Sequence, residues 1–284
     1  MGAVAFPWGV GVATGVGSLP HHDRDEAARF VVGELPDFPH LFELPGRGAG
    51  SDMIGRTAAL LVDLHVDLQP SGWRLVDRPG QDEKSAAGAL QADLDALELS
   101  ALGYTGPLKV QLTGPLTLAA ALDRPRGGQA LADQGARRDL VQSLAEGIEQ
   151  HAGEVRRRVP GAVVVVQVDE PALPSVLAGS VPTSSGLGRV GPVSAAEVES
   201  ALAAVISVAG QWPVVHCCAA KPPIALVHRA GAVAVSCDVA TLDETTVDEL
   251  AAAVDTGLCV WPGVVPVLAP AVPPSGRDLA DLLQ

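Results

Sequence analysis

From residue 105 onward the chain repeats one pattern: a Val-rich run, polar residues at its end, then a helix-patterned stretch. The runs are "PLKVQLTGP", "AVVVVQVDEP", "WPVVHC", "AVAVSCD" and "LCVWPGVV". Such nearly continuous apolar runs read as strands buried on both faces. Between the first two, Leu140, Leu144, Ile148 and Val155 line one stripe of a long helix. Further helices are predicted from Ser194 to Ala209, around Ile224–Arg229 and near Thr245–Val254. A helix after every strand requires crossover connections, and these produce a parallel sheet covered on both faces.

The N-terminal third fits the same scheme less regularly. "VGVATGVGSLP" and "FPHLFELP" read as two more strands, and a polar insertion around Pro70–Lys84 reads as a hairpin. A helix carrying Leu90, Leu94, Leu97 and Leu102 leads into the strand at Leu108. The expected fold is therefore an α/β (β/α)8 TIM barrel, an architecture of about 250 residues. Seven strands are predicted, and the helical-looking "GRDLADLLQ" at the end would precede the eighth, so the expectation is either a barrel whose last strand lies past Gln284 or one that lacks it. "VPTSSGLGRVGP" is a loop, not a linker, and residues 1–284 form a single predicted domain.

Composition excludes several function classes. A formal net charge of -14 and only 3% aromatic residues oppose nucleic-acid binding, and the charge also opposes an anionic membrane surface. The one basic run, Arg156-Arg157-Arg158, falls at the end of a predicted helix, where cations complement the carbonyl end of its dipole. No apolar stretch approaches the roughly 18 residues of a membrane span. The stretch from Val4 to Val16 is broken by Pro7 and glycines and has no basic start, unlike a signal peptide. Cys217, Cys218, Cys237 and Cys259 are accordingly expected to be reduced, in a cytoplasmic protein.

In a parallel barrel the chemistry sits where strands finish. Five predicted strand ends carry polar content: Gly17-Ser18, Thr113-Gly114-Pro115, Asp169-Glu170-Pro171, His216 with Cys218, and Asp238. Residues two apart on a strand share a face, so His216 and Cys218 point one way and Cys217 the other. The same rule sends Cys237 outward under the helices if Asp238 points inward. An imidazole, a thiol sulfur and a carboxylate from neighbouring strand ends are reasonable ligands for Zn²⁺, and three protein ligands with an open position make a catalytic rather than structural centre. A buried, hydrogen-bonded His beside small apolar Cys is the plainer alternative. Asp169 and Glu170 could cap a helix or hold a substrate ammonium group. Gly17-Ser18 could be a tight turn or offer N–H groups to a carboxylate. His21-His22 diverge as adjacent residues and make a poor metal pair.

"GVGSLPH", "VQLTGPLTL", "VQVDEPAL", "VVHCC" and "AVSCD", in that order, resemble the C-terminal catalytic domain of cobalamin-independent methionine synthase. The wider superfamily includes uroporphyrinogen decarboxylase and zinc methyltransferases acting on methylated corrinoids. The resemblance implies a barrel in which zinc binds a homocysteine-like thiol and a methylfolate or methylcorrinoid, the latter free or on a corrinoid protein, donates the methyl group. It makes His216, Cys218 and Asp238 the metal ligands, Asp238 standing where the family has Glu. It makes Asp169 the residue that holds the substrate amine and the one assigned a catalytic role. Val16, Gly17 and Ser18 would hold the substrate carboxylate, and Glu170 is counted with them and Asp169 among the expected substrate-binding residues.

Several family features have no match here. The last zinc ligand, a Cys roughly sixty residues past the carboxylate, would fall beyond Gln284, and Cys259 begins its predicted strand at the opposite end. "LPGRGAGSDM" lacks the family's substrate-binding Glu, Ala121 replaces a folate-contacting Trp, and Leu268 stands for a proton-donating His. The leading expectation is a methionine-synthase-like zinc methyltransferase with a folate or corrinoid donor. The competing readings are a non-catalytic barrel that binds a thiol or amino acid, and a tetrapyrrole decarboxylase-like enzyme.

Overall fold

The computed structural model describes residues 6–265 and Arg277. An extended segment around Ser18 leads to α1 (Arg24–Glu34), a second extended segment runs from His40 to Glu43, and α2 (Met53–Ala58) follows. An antiparallel hairpin of β1 (His65–Gln69) and β2 (Gly72–Val76) precedes α3 (Gln81–Ser100). Then β3 (Gly106–Thr113), β4 (Ala162–Asp169), β5 (Val214–Cys217), β6 (Ala234–Asp238) and β7 (Cys259–Gly263) form one parallel sheet in sequential order. The helices α4 (Pro115–Ala121) and α5 (Gln134–Arg158) connect β3 to β4, while α6 (Leu173–Ala178) and α7 (Ala195–Val208) connect β4 to β5. The last two connections are α8 (Ile224–Arg229) and α9 (Glu244–Asp255).

The five C-terminal strands lie where the Val-rich runs place them. The first two predicted strands do not form as such. "VGVATGVGSLP" contributes a single parallel bridge, Ser18 to Glu43, and "FPHLFELP" adds one more, His40 to Lys109. Glycines leave the first segment without side chains to pack, and Pro39 and Pro45 cannot donate to a ladder. The two segments still extend the sheet beyond β3: Leu41 N–H donates to the Lys109 carbonyl at 2.8 Å, and Leu19 N–H to the Glu43 carbonyl at 2.9 Å. Seven extended segments thus run side by side in chain order. The hairpin also begins earlier than expected, at His65 instead of Pro70. The expected terminal helix, apart from exposed Arg277, and Leu268 lie outside the described residues.

Alternation along the strands separates two interiors. Val164, Val166, Val168, Val215, Val235 and Cys237 join the main core with Leu140, Leu144, Val198 and Leu202 of the covering helices. The alternate residues Val165, Val214 and Ala234 join a smaller cluster with Phe38 and Trp212, against which Phe6, Trp8 and Trp261 pack. Trp8 stacks on Phe38 at 5.6 Å between ring centroids and meets Trp261 edge-on at 4.9 Å. Most of the chain's few aromatics are spent on plugging the N-terminal ends of the strands. The opposite ends are left to polar residues.

Helix starts are capped by the side chains the sequence offers, among them Asp23, Asp52, Asp133, Ser194 and Asp243. At the end of α5, Arg158 donates to Glu154, Asp95 and Glu98, so the basic run is anchored within the protein. Among the described residues no helix is long and apolar enough to cross a membrane.

His40 is 1% exposed, and neither ring nitrogen has a hydrogen-bond partner among the described residues. Burial and the nearby Lys109 cation hold its pKa down to about 3. The native ring stays neutral while an unfolded His takes a proton below about pH 6.5, so its contribution to stability is lost as pH falls from that value towards 3. His40→Leu should be neutral to stabilising by about 1 kcal/mol at pH 7. Its advantage should widen by about 3 kcal/mol at pH 4. Urea unfolding of both proteins across that range checks this, and a constant difference would count against it.

Candidate functional site

The strand register sets one row of polar residues across the C-terminal end of the sheet. Thr113 of β3 pairs with Asp169 of β4, Asp169 with His216 of β5, and His216 with Ser236 of β6. One step below, Gln111 pairs with Gln167. Lys109, Gln111 and Thr113 share a face because they alternate, as do Gln167 with Asp169 and Ser236 with Asp238.

These side chains form a buried network. Lys109 is 0% exposed, and its Nζ donates to the Val16 carbonyl and to Gln111 Oε1, both at 3.1 Å. Gln111 Nε2 donates to Glu43 Oε1 at 3.1 Å and to the Leu41 carbonyl at 2.6 Å. Ser18 Oγ donates to Glu43 Oε2 at 3.2 Å. Gln167 Nε2 donates to the same Val16 carbonyl at 3.0 Å and to Asp169 Oδ1 at 2.7 Å. The loop Val16-Gly17-Ser18 is thereby tied to β3 and β4. Gly17 has φ +142°, and a Cβ there would come within 2.6 Å of Gln111 Nε2, so the turn and the close approach both require glycine.

Two carboxylates and one ammonium group share this interior. Burial pushes Asp169 well above the usual carboxylate range, and the Glu43 charge adds to the rise while Lys109 and the Gln167 bond oppose it. Burial likewise brings Lys109 down to about 8 against the pull of Asp169 and Glu43. Sequence reasoning missed both Lys109 and Glu43. Lys109 sits inside an apolar run, but its spacing of two from Gln111 and four from Thr113 was the available signal of a polar inner face.

Glu170 has a different environment. Its carboxylate accepts from Leu116 N at 2.8 Å, Thr117 N at 2.9 Å and Thr117 Oγ1 at 2.6 Å. It therefore caps α4, the helix after the neighbouring strand. Burial raises its pKa to about 7, and those hydrogen bonds hold it from rising further. Gly114 makes room for it: a Cβ there would lie 2.4 Å from Glu170 Oε1. Both oxygens are spent on the protein, so Glu170 supports the site wall instead of facing a ligand.

His216 is half-buried, and Nδ1 lies 2.9 Å from Ser236 Oγ, leaving Nε2 as the nitrogen not engaged by Ser236. Burial first and Lys109 second lower its pKa to about 4, against the Ser236 contact and the Asp238 charge. The ring is neutral at physiological pH. Cys218 is exposed just past β5, and burial of the thiol with the charges of Asp169 and Asp238 raises its pKa. Asp238 Oδ1 accepts from Ala240 N at 2.9 Å. Asp238 thus lies within the electrostatic reach of both His216 and Cys218. Among the described residues, however, no three His, Cys, Asp or Glu side chains form a group that could hold a metal ion. The donors share one end of the sheet but do not converge on one point. Cys217 and Cys237 are buried in register partnership. Cys259 opens β7 at the opposite end, as its sequence position suggested.

The five-stranded parallel sheet of this α/β fold gathers its polar interior at the C-terminal strand ends, the end at which parallel barrels carry their sites. The family model described as cobalamin-independent synthase, catalytic domain, matches residues 12–284, and the chain belongs to that family. No curated protein matches the chain. Among solved structures it is similar to a B12-independent methionine synthase from Shewanella sp. W3-18-1 in complex with selenomethionine, with TM-score 0.60 and 13% identity over 96% of this chain and 85% of that one. At that identity the likeness establishes the shared fold.

Proposed function

We propose that this chain transfers a methyl group to the thiol of a homocysteine-like amino acid in a zinc-dependent reaction. The observation that carries the reading is the meeting of Asp169, His216 and the Val16-Gly17-Ser18 loop at one end of the sheet. Asp169 and His216 are register partners, and Gln167 bonds to both Asp169 and Val16. Membership of the family supports the same reaction. Asp169, 6% exposed with Oδ1 held by Gln167, would accept from a substrate ammonium group in this reading. Ser18, which is exposed, and the neighbouring backbone would hold the substrate carboxylate in this reading.

His216, Cys218 and Asp238 would hold the metal. The donor set fits zinc in kind: a neutral imidazole, a sulfur and a carboxylate oxygen. It does not yet fit in position, so binding entails movement of Cys218, which is exposed beyond its strand, or of Asp238 away from the Ala240 N–H. Bound there, zinc would act as the Lewis acid that lets a thiol lose its proton near neutral pH. The sulfur–carbon bond would form as the donor's nitrogen– or cobalt–carbon bond breaks, the bonding pair staying with the donor. The donor in this reading is a methylfolate or a methylated corrinoid. Ala121 in place of a folate-contacting Trp favours the corrinoid, which needs less activation as a leaving group.

The lack of a converged three-donor group among the described residues favours a second reading, a non-catalytic barrel that binds a thiol amino acid. Metal analysis separates the two. The purified chain should carry about one zinc, as a single catalytic centre requires, and His216→Ala should lose most of it. Full metal content in His216→Ala would overturn the ligand assignment. Homocysteine should also change the visible spectrum of cobalt-substituted protein through a new cobalt–sulfur bond, and an unchanged spectrum would support the non-catalytic barrel.

A further inference from the structure

We propose that the cleft between β2, the loop after α4 and the loop after α6 is a second binding site, one for a small phosphate-bearing molecule. The cleft has a volume of about 740 Å³, and none of the strand-end site residues lines it. Its walls come from three distant parts of the chain and are bonded to one another. Asp123, in the loop after α4, lies against β2: Leu75 N–H donates to the Asp123 carbonyl at 2.8 Å, and Asp123 N–H to the Trp73 carbonyl at 2.9 Å. Ser184, in the loop after α6, donates to Asp123 Oδ1 at 2.5 Å. Gln129 Nε2 donates to the carbonyls of Ala120 and Pro182, at 2.8 and 3.0 Å. The cleft is therefore formed before any ligand arrives.

Its charge is opposite to that of the protein. The chain carries a formal net charge of -14, yet Arg74, Arg124 and Arg126 line this cleft against one described acid, Asp123. Arg124 is spent on the protein, on Asp133 at 2.9 Å and the Gly127 carbonyl at 2.6 Å. The other two are not. Arg74 Nη2 stops 3.9 Å from Asp123 Oδ2, and its Nε is buried without a partner among the described residues. Arg126 is exposed, and no described residue forms an ion pair with it. A half-buried guanidinium without a hydrogen-bond partner is costly, and an oxyanion supplies what it lacks. The hydroxyls of Ser71 and Ser185 line the same cleft and can donate as well. Permanent guanidinium charges beside neutral hydroxyl donors are the recognition chemistry of phosphate. No aromatic ring of the described residues lines the cleft, so nothing there stacks on a base. The ligand class is a phosphate ester without a nucleobase, or phosphate itself. This site does not depend on the methyl-transfer reading.

Calorimetric titration of the full chain with ribose 5-phosphate, ribose and inorganic phosphate tests the proposal, in about 0.15 M salt to screen diffuse charge. Ribose 5-phosphate should bind at least about tenfold tighter than ribose, the effect of a charge-assisted hydrogen bond. An ester that binds tighter than inorganic phosphate identifies the ligand as an ester, and equal affinities identify it as the free ion. Arg74→Gln and Arg126→Gln should each weaken binding of both phosphate compounds by about tenfold or more. Arg126→Gln alters an exposed side chain, so its result stands apart from any effect of Arg74→Gln on folding. Arg138→Gln removes the same charge from an exposed position on α5 and should leave the affinities unchanged. A wild-type chain that binds neither phosphate compound would overturn the site. So would an Arg126→Gln chain that binds like the wild type, or an Arg138→Gln chain that loses as much as Arg126→Gln.

Discussion

Asp93→Ala should cost about 3–5 kcal/mol of stability, the range found when one partner of a buried ion pair is removed. Asp93 is 0% exposed in the middle of α3 and receives two guanidinium groups. Arg47 binds it through both oxygens, and Arg56, itself 4% exposed, donates to Oδ2 at 2.8 Å. Deleting the carboxylate leaves the Arg56 cation in the interior with nothing to neutralise it, and arginine cannot shed its charge. The destabilisation should lower the melting temperature by roughly 10 °C for a domain of this size. Replacing Asp93, Arg47 and Arg56 together with apolar residues of similar volume should be far milder than Asp93→Ala alone, since the desolvation cost of all three charges disappears with them. Thermal melts of the two proteins compare these outcomes, and a mild Asp93→Ala would mean that Arg56 reaches water.

The same ion group shows where reading the sequence ran out. "LPGRGAGSDM" is notable in the sequence for an acid it lacks, and nothing local indicates that its arginine is spent on a residue 46 positions away. The later strands were legible because buried β-branched runs have few other uses, and their order followed from the helices between them. Alternation correctly assigned Cys237 to the helix-packed core, since that rule depends only on backbone geometry. The two N-terminal segments were overread as strands because periodicity cannot weigh the ladder bonds that Pro39 and the glycines forgo. At the site, single strand-end residues such as Asp169 and His216 were visible. Their partners were not, because Lys109 and Glu43 acquire meaning only when β3 and the second extended segment lie side by side. Glu170 offered two uses, and only the fold reveals that it caps the helix of the neighbouring strand.

Lys109→Met should be as damaging as the loss of Asp93, again by about 3–5 kcal/mol, and its cause can be separated from simple packing. Methionine is close to lysine in length and fills much of the same space, so the change chiefly deletes the charge and two hydrogen bonds. Gln111 and the Val16 carbonyl lose their donor, and Glu43 and Asp169 are left repelling each other in a place with little access to water. Asp169 is then pushed still further above the usual carboxylate range, because the Lys109 charge no longer opposes the rise. Adding Glu43→Gln to Lys109→Met removes the surplus charge at its source, so the double variant should recover about 1–3 kcal/mol relative to Lys109→Met, a coupling typical of residues in one buried network. If the two substitutions instead add without coupling, Lys109 is a packing residue whose charge is balanced elsewhere. If they couple as expected, the cation beneath the strand ends is what allows two acids to stand together in the buried network of Val16, Gln111 and Gln167.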